Sequence, residues 1–198
     1  MKWVYKVKFN PKGEVTRHKA RLMVKGFLQK EGTNFDKVFT PVARIETIRL
    51  VVGLANMNNW QMCRMDVKCA FLNAPLEEEV YVAQPAGFMK HGEERKVYRL
   101  HKALYGLKQA PRAWNKKIYG FLREKEFVKC KSEHGVYVRR NKSELLILCL
   151  YVDDLLIIGS CKKGIEDFKG DSIRNSKCQI LVTFHISLAS NSTRVVEV

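Results

Sequence analysis

Between Leu145 and Gly159 the chain reads LLILCL, YVDD, LLIIG, two apolar runs of strand length with Asp153 and Asp154 between them. The first run is too short to span a membrane, and the pattern predicts two antiparallel strands joined by an acidic tip. The turn of such a hairpin presses the two backbones together, so neighbouring carboxylates are held close despite their repulsion. A cation relieves that repulsion. Hard divalent ions such as Mg²⁺ take oxygen ligands, and a paired-metal site needs bridging carboxylates with another supplied from elsewhere. An ordinary Asp-containing turn fits the pair taken alone, so the rest of the chain must supply a third acid.

The formal net charge is +16, from 36 Lys and Arg against 20 Asp and Glu in 198 residues. That length can bury a core and form one or two domains. The charge argues against an enzyme of neutral metabolites and for a polyanionic partner, since each neutralised phosphate releases counterions. A ribosome-associated or solubility-driven basic surface has the same composition. Six cysteines (Cys63, Cys69, Cys130, Cys149, Cys161, Cys178) include no C-x-x-C pair and sit mostly beside apolar residues. They read as reduced, partly buried thiols of a cytoplasmic or nuclear protein. No stretch approaches transmembrane length and the N-terminus lacks the apolar core of a secretory signal, so a soluble intracellular protein without a membrane partner is expected. Strand-like sequence follows Met1 at once, as if the chain began inside a fold.

Trp3 to Phe9 and Val15 to Lys25 are strand-like and joined by Asn10-Pro11-Lys12-Gly13, a good turn sequence, which predicts a basic hairpin. On its second arm Arg17, Lys19, Arg21 and Lys25 fall on one face by period two. Such a row can hold a triphosphate or a nucleic-acid backbone, or can simply protect a solvated edge strand. Ile45 to Asn56 has apolar residues at near-helical spacing and leaves Arg49 exposed. Gln61 to Leu72 begins as a strand that buries Asp66 among Met65, Val67, Ala70 and Phe71. A carboxylate so placed must be paired, protonated or metal-bound, which makes Asp66 the candidate third acid; capping a following helix is the other reading. Short strands are expected at Val80 to Val82 and Lys96 to Leu100, with a turn at Pro85 to Phe88. Leu104 to Arg123 couples a Gly- and Pro-bearing entry to a helix carrying Trp114, Ile118 and Phe121. Gly106 permits close backbone approach there. With Lys108, Arg112, Lys116 and Lys117 the segment reads as a platform for a base pair and phosphates, or as an ordinary amphipathic helix with a kinked start. Val136 to Arg139 pairs with Leu145 to Tyr151.

Six ordered blocks, KWVYKVKFN, HKARLMVKGFLQ, FTPVARIETIR, MDVKCAFLNAPLEEEVYVAQPAGF, LHKALYGLKQAPRAW and LYVDDLLIIG, resemble the reverse transcriptase of copia-type retrotransposons. The resemblance implies an α+β, right-hand polymerase with fingers from the N-terminal hairpin and an antiparallel palm sheet packed on helices, over 1–170. It places the catalytic, metal-binding acids at Asp66, Asp153 and Asp154, with two Mg²⁺ ions, or Mn²⁺, as cofactors. It implies nucleotide contacts at Arg21, Lys19, Phe71, Tyr105, Gly106 and Gln109, with Phe71 beneath the incoming sugar. The basic Lys25, Lys108 and Arg112 fall to nucleic acid. Implied partners are dNTPs and an RNA or DNA template with a DNA primer. Cys69 stands where the family often has Asn, beside the pocket but removing no metal ligand.

After about Gly170 the blocks end, and 171–198 is Ser- and Asn-rich without a clear period. The resembled family carries there something like FEMSDLGYLSYFLGIEFYK, a primer-supporting hairpin. Reading the last base of each codon with the first two of the next, from Asn175 through Arg194 with synonymous choices, returns that segment in full. The expectation is a frameshift near Asp171 and a poorly ordered non-family tail, with the primer-supporting hairpin, thumb, RNase H and integrase absent from this chain. The competing expectation to a working polymerase is a truncated remnant that binds nucleic acid nonspecifically.

Overall fold

The computed structural model describes residues 1–142, 144–174 and 180–186; they form a mixed α/β structure with three antiparallel sheets and three α-helices. The chain divides into two units, Met1–Thr40 with Cys69–Gly120, and Pro41–Lys68 with Phe121–Val198.

The first unit opens with the expected hairpin of β1 (Lys2–Phe9) and β2 (Val15–Met23). Asn10 closes its turn, its side-chain oxygen accepting from the Lys12 and Glu14 amides at 3.0 and 2.9 Å, the local bonding for which Asn is favoured in turns. A single-turn 3₁₀ segment follows at Gly26–Leu28. After a second, at Ala70–Asn73, come β4 (Pro75–Ala83) and β5 (Val97–Lys102), which pair antiparallel. The acidic run of β4 is held by cations, Glu79 by Arg99 at 2.9 Å and Glu77 by Lys116. The Phe88 amide donates to the Pro85 carbonyl in the expected turn. Helix α2 (Ala110–Glu124) begins in this unit, with Trp114 and Ile118 buried.

The second unit is built on a six-stranded antiparallel sheet. In chain order its described strands are β3 (Gln61–Val67), β6 (Val128–Lys129), β7 (Val136–Arg140), β8 (Leu145–Tyr151), β9 (Asp154–Gly159) and β10 (Ile180–Ile186), arranged β10-β3-β9-β8-β7-β6. Period-two alternation separates its two faces. On one, Met62, Ile158, Ile147, Cys149 and Val136 pack with Ala43, Val51 and Ala55, the last two from α1 (Ile45–Met57), the helix expected there with Arg49 exposed. On the other lie Cys63, Met65, Leu148, Leu150, Leu155 and Ile157, all fully buried. Helix α3 (Lys162–Arg174) serves this second face, its Ile165 standing where a Cβ on Gly159 would point. Phe168 of α3 meets Phe121 and Phe127 at ring distances of 6.1 and 5.4 Å.

Past residue 170, α3 runs on to Arg174, and β10 pairs antiparallel with β3. ILVTFHI is rich in β-branched and aromatic residues, and the open edge of β3 offers it a ladder of unpaired backbone groups. Residues 175–179 and 187–198 lie outside the described residues, as does most of the frame-shifted reading that covers them. Among the described residues no helix is long and apolar enough to cross a membrane.

Of the described cysteines none is bonded to another; Cys63 and Cys149 are buried, Cys69 is exposed, and Cys130 and Cys161 lie between. Burial, then the nearby Glu133 charge, push the Cys149 thiol up to about 11. The Ser132 hydroxyl and neighbouring backbone amides hold Cys130 below its ordinary value. Three outcomes follow. Leu148→Ala, which empties a fully buried site in the sheet, should lower unfolding free energy in urea by about 2–5 kcal/mol. Mass-spectrometric mapping of iodoacetamide labelling at pH 8 should find Cys130 modified well before Cys149. Because the folded state holds the Cys149 proton more tightly than the unfolded chain, its stability contribution is complete below pH ~8.5 and is lost as pH rises toward 11.

Candidate active site

The three acids picked out from the sequence sit at one end of the β3-β9-β8 ladder. Asp66 lies directly opposite Asp154 in the β3-β9 register, and Asp154 opposite Tyr151 in the β8-β9 hairpin. Val152 and Asp153 form the two-residue loop between those strands. The Asp153 carbonyl accepts from the Val67 amide at 3.0 Å, fastening the loop to the end of β3. The expected acidic hairpin is therefore present, and the backbone brings all three acids to the same sheet end.

Asp66 is not buried, contrary to the sequence reading. From Cys63 onward the burial of β3 alternates, with Met65 and Val67 in the core and Arg64 and Asp66 on the open side. Its apolar neighbours in sequence point the other way, so the carboxylate keeps its water and needs no buried partner. Nor does Asp66 cap a helix: the 3₁₀ segment after it is preceded by Cys69, left-handed at φ 55° and without a side-chain cap bond.

The electrostatics of the cluster include a residue that the sequence reading passed over. Arg64 donates to Asp154 from Nη2 at 3.1 and 3.2 Å and from Nε at 3.3 Å. Period two from Asp66 was the signal that could have found it. Carboxylate oxygens in this register suit a hard divalent ion by donor type. Asp154, however, is held by Arg64, and among the described residues no three His, Cys, Asp or Glu side chains gather closely enough to hold a metal. Val152 was also missed. Of the two loop residues only it has positive φ, 57°, where a β-branched side chain costs about 1–2 kcal/mol and Gly is usual.

In the first unit, Arg21, Tyr105 and Phe71 form a ladder. The Arg21 guanidinium lies 4.9 Å from the Tyr105 ring centre, and the Tyr105 and Phe71 rings are 5.1 Å apart at 55°. Three residues far apart in sequence are thus assembled into one surface. The β1-β2 register sets Lys6 opposite Lys19, Lys8 opposite Arg17 and Val4 opposite Arg21, so β1 adds Lys6 and Lys8 to the cationic face read from β2 alone. Like charges directly opposite repel, and an anion on this face relieves them. Lys25 lies beyond the last ladder residue, Met23, and is not part of that row; it lines a cleft of about 300 Å³ with Leu28, Gln29 and Val80.

Gly106 adopts φ +94°, and a Cβ there would run into the Val24 carbonyl. The Val24 amide donates to the Tyr105 carbonyl at 2.8 Å, so two backbones cross where only Gly fits. Gln109, read from the sequence as lining a nucleotide pocket, is 1% exposed. Its amide donates to the Asn34 carbonyl at 3.0 Å and accepts from Gln29 Nε2 at 2.9 Å, a buried polar group fully engaged in holding its own unit together. Lys108 extends over the Phe35 ring at 4.8 Å, and Arg112 donates to the Phe39 carbonyl at 3.5 Å.

A family profile described as reverse transcriptase (RNA-dependent DNA polymerase) matches residues 1–189. The chain belongs to the reverse transcriptase family, of the copia type. It is 45% identical over 86% of its length to the retrovirus-related Pol polyprotein from transposon TNT 1-94 of Nicotiana tabacum, covering 13% of that protein. It is 40% identical over 80% of its length to the retrovirus-related Pol polyprotein from transposon RE2 of Arabidopsis thaliana, covering 11%. This reverse transcriptase chain thus spans about an eighth or less of the length of these two curated relatives. No solved structure matches it. The family match runs past Gly170, where the motif blocks end, into β10.

Gly106→Ala should remove more than about 2 kcal/mol of stability, a positive-φ penalty added to a backbone clash. Thermal unfolding of the purified variant checks it; an unchanged midpoint would mean the Val24 crossing is not tight.

Proposed function

We propose that the chain carries the nucleotidyl-transfer chemistry of an RNA-directed DNA polymerase, adding a dNMP to a primer 3′-hydroxyl. The observation that carries this reading is the pairing of Asp66 with Asp154 beside the Asp153 loop, in a chain of this family. Asp66 and Asp153 would hold magnesium, or manganese in its place, with Asp154 in support; when bound, such ions activate the hydroxyl and neutralise the leaving pyrophosphate.

The remaining work falls to the chain's own groups. Arg21, braced on the Tyr105 ring, would meet the triphosphate, with Lys19 contributing charge from the same strand face. Phe71, packed on that ring, is the steric stop against a ribose 2′-hydroxyl. Gly106 lets the Tyr105 segment lie close to Val24, and Gln109 acts as a positioning residue that fixes this segment from within. Lys25, Lys108 and Arg112, together with the cationic hairpin face, would track the backbone of an RNA or DNA template paired with a DNA primer, recognising shape rather than sequence. Neighbouring RNase H and integrase activities would come from other parts of a Pol polyprotein.

The +16 charge favours one competing reading, a polymerase-derived chain that only binds nucleic acid. Magnesium-dependent extension of a DNA primer on an RNA template separates the two. The expected outcome is incorporation that falls roughly 100-fold or more in Asp153→Asn, the size of losing a group that stabilises transition-state charge. A folded chain that binds the hybrid in a salt-sensitive way yet extends nothing would establish the binding-only reading instead.

A further inference from the structure

We infer that Arg64 is a built-in cation that competes with divalent metal for Asp154 and so sets how tightly the acid cluster takes its ion. The inference rests on the polymerase reading of Asp66 and Asp153.

Arg64 and Asp66 occupy the same open face of β3, two residues apart, while Leu156 and Asp154 face them from β9. From opposite Leu156, the Arg64 side chain reaches along the sheet to Asp154 and contacts both carboxylate oxygens, Oδ1 at 3.1 Å and Oδ2 at 3.2 Å. Neighbouring carboxylates repel one another, and Arg64 offsets the charge of Asp154. Arg stays protonated at every working pH, so the competition does not switch off. Both side chains are substantially exposed, 57% for Arg64 and 38% for Asp154. An exposed pair of this kind is weak, so an arriving ion can displace the guanidinium. Arg64 therefore tunes the site and does not close it. Asp154 is turned toward Arg64 in a chain whose strand register already sets it opposite Asp66.

Direct Mn²⁺ titration of the full chain, followed by the electron paramagnetic resonance of the free ion, reads the effect without relying on turnover. Arg64→Gln should tighten Mn²⁺ binding about two- to fivefold, the range of an exposed ion pair. Arg64→Lys, which keeps the charge, should stay near the parent, and Arg64→Gln added to Asp154→Asn should change nothing further. The magnesium concentration for half-maximal primer extension should fall in parallel. Binding that is unchanged or weaker in a folded Arg64→Gln chain would overturn the inference while leaving the acid site standing. Parent binding no stronger than that of Asp66→Asn would overturn the acid site as well, so the two failures are distinguishable.

Discussion

The antiparallel ladder of β3, β9 and β8 is the constraint on which the second unit depends. Its register is fixed because one face must bury Met65, Leu155, Ile157, Leu148 and Leu150 while the other takes Met62, Ile158 and Ile147 against α1. A one-residue slip of β3 would turn Met65 to solvent and drive Asp66 and Arg64 into the core, at a cost no surface interaction could offset. The apolar packing therefore aims the acids. Where α1 stops covering its face, the same row of positions continues as Arg64, Asp66 and Asp154, so core and candidate site are two ends of one surface.

The first unit solves a different problem. Its cationic hairpin is a two-stranded ribbon that brings six cations of β1 and β2 onto or beside one face, among them Lys6 and Lys8 opposite Lys19 and Arg17. Repulsion across that ladder is tolerable because the side chains are mostly exposed and screened, and it leaves the face ready for an anion. Anchoring comes from below the ribbon. The crossing of Val24 with Tyr105 and Gly106, and the buried Gln109 bridge to Gln29 and Asn34, place Arg21 against Tyr105 and Phe71. Conformational economy at Gly106 and the ring ladder beside it are linked, since a side chain at 106 would push the two segments apart.

Much of this was legible beforehand. Alternating and continuous apolar runs identified β1, β2, β7, β8 and β9, and near-helical spacing identified α1, because each of those patterns answers to one element's own geometry. The acidic hairpin was legible because two strands and a two-residue loop leave a pair of acids nowhere else to go. The apolar neighbours of Asp66 suggested burial, whereas a strand sends neighbours to opposite faces. The burial of Gln109 was not legible, because exposure cannot be read from one residue. Arg64, Val152 and the strand at Ile180–Ile186 escaped notice because each depends on a partner from elsewhere in the chain.

The sequence by itself determined the chemistry available: which acids exist, which basic residues share a strand face, where Gly is required, and which family the ordered blocks belong to. These follow from covalent identity and local periodicity. Tertiary structure alone decided that Asp66 is open to water, that Lys6 and Lys8 join the β2 cations, and that Arg21, Tyr105 and Phe71 stack. It also decided that Asp154 is claimed by Arg64. Each of these turns on strand register or on a contact between distant segments, and such contacts are selected by the burial of the whole apolar surface, not by any stretch taken alone.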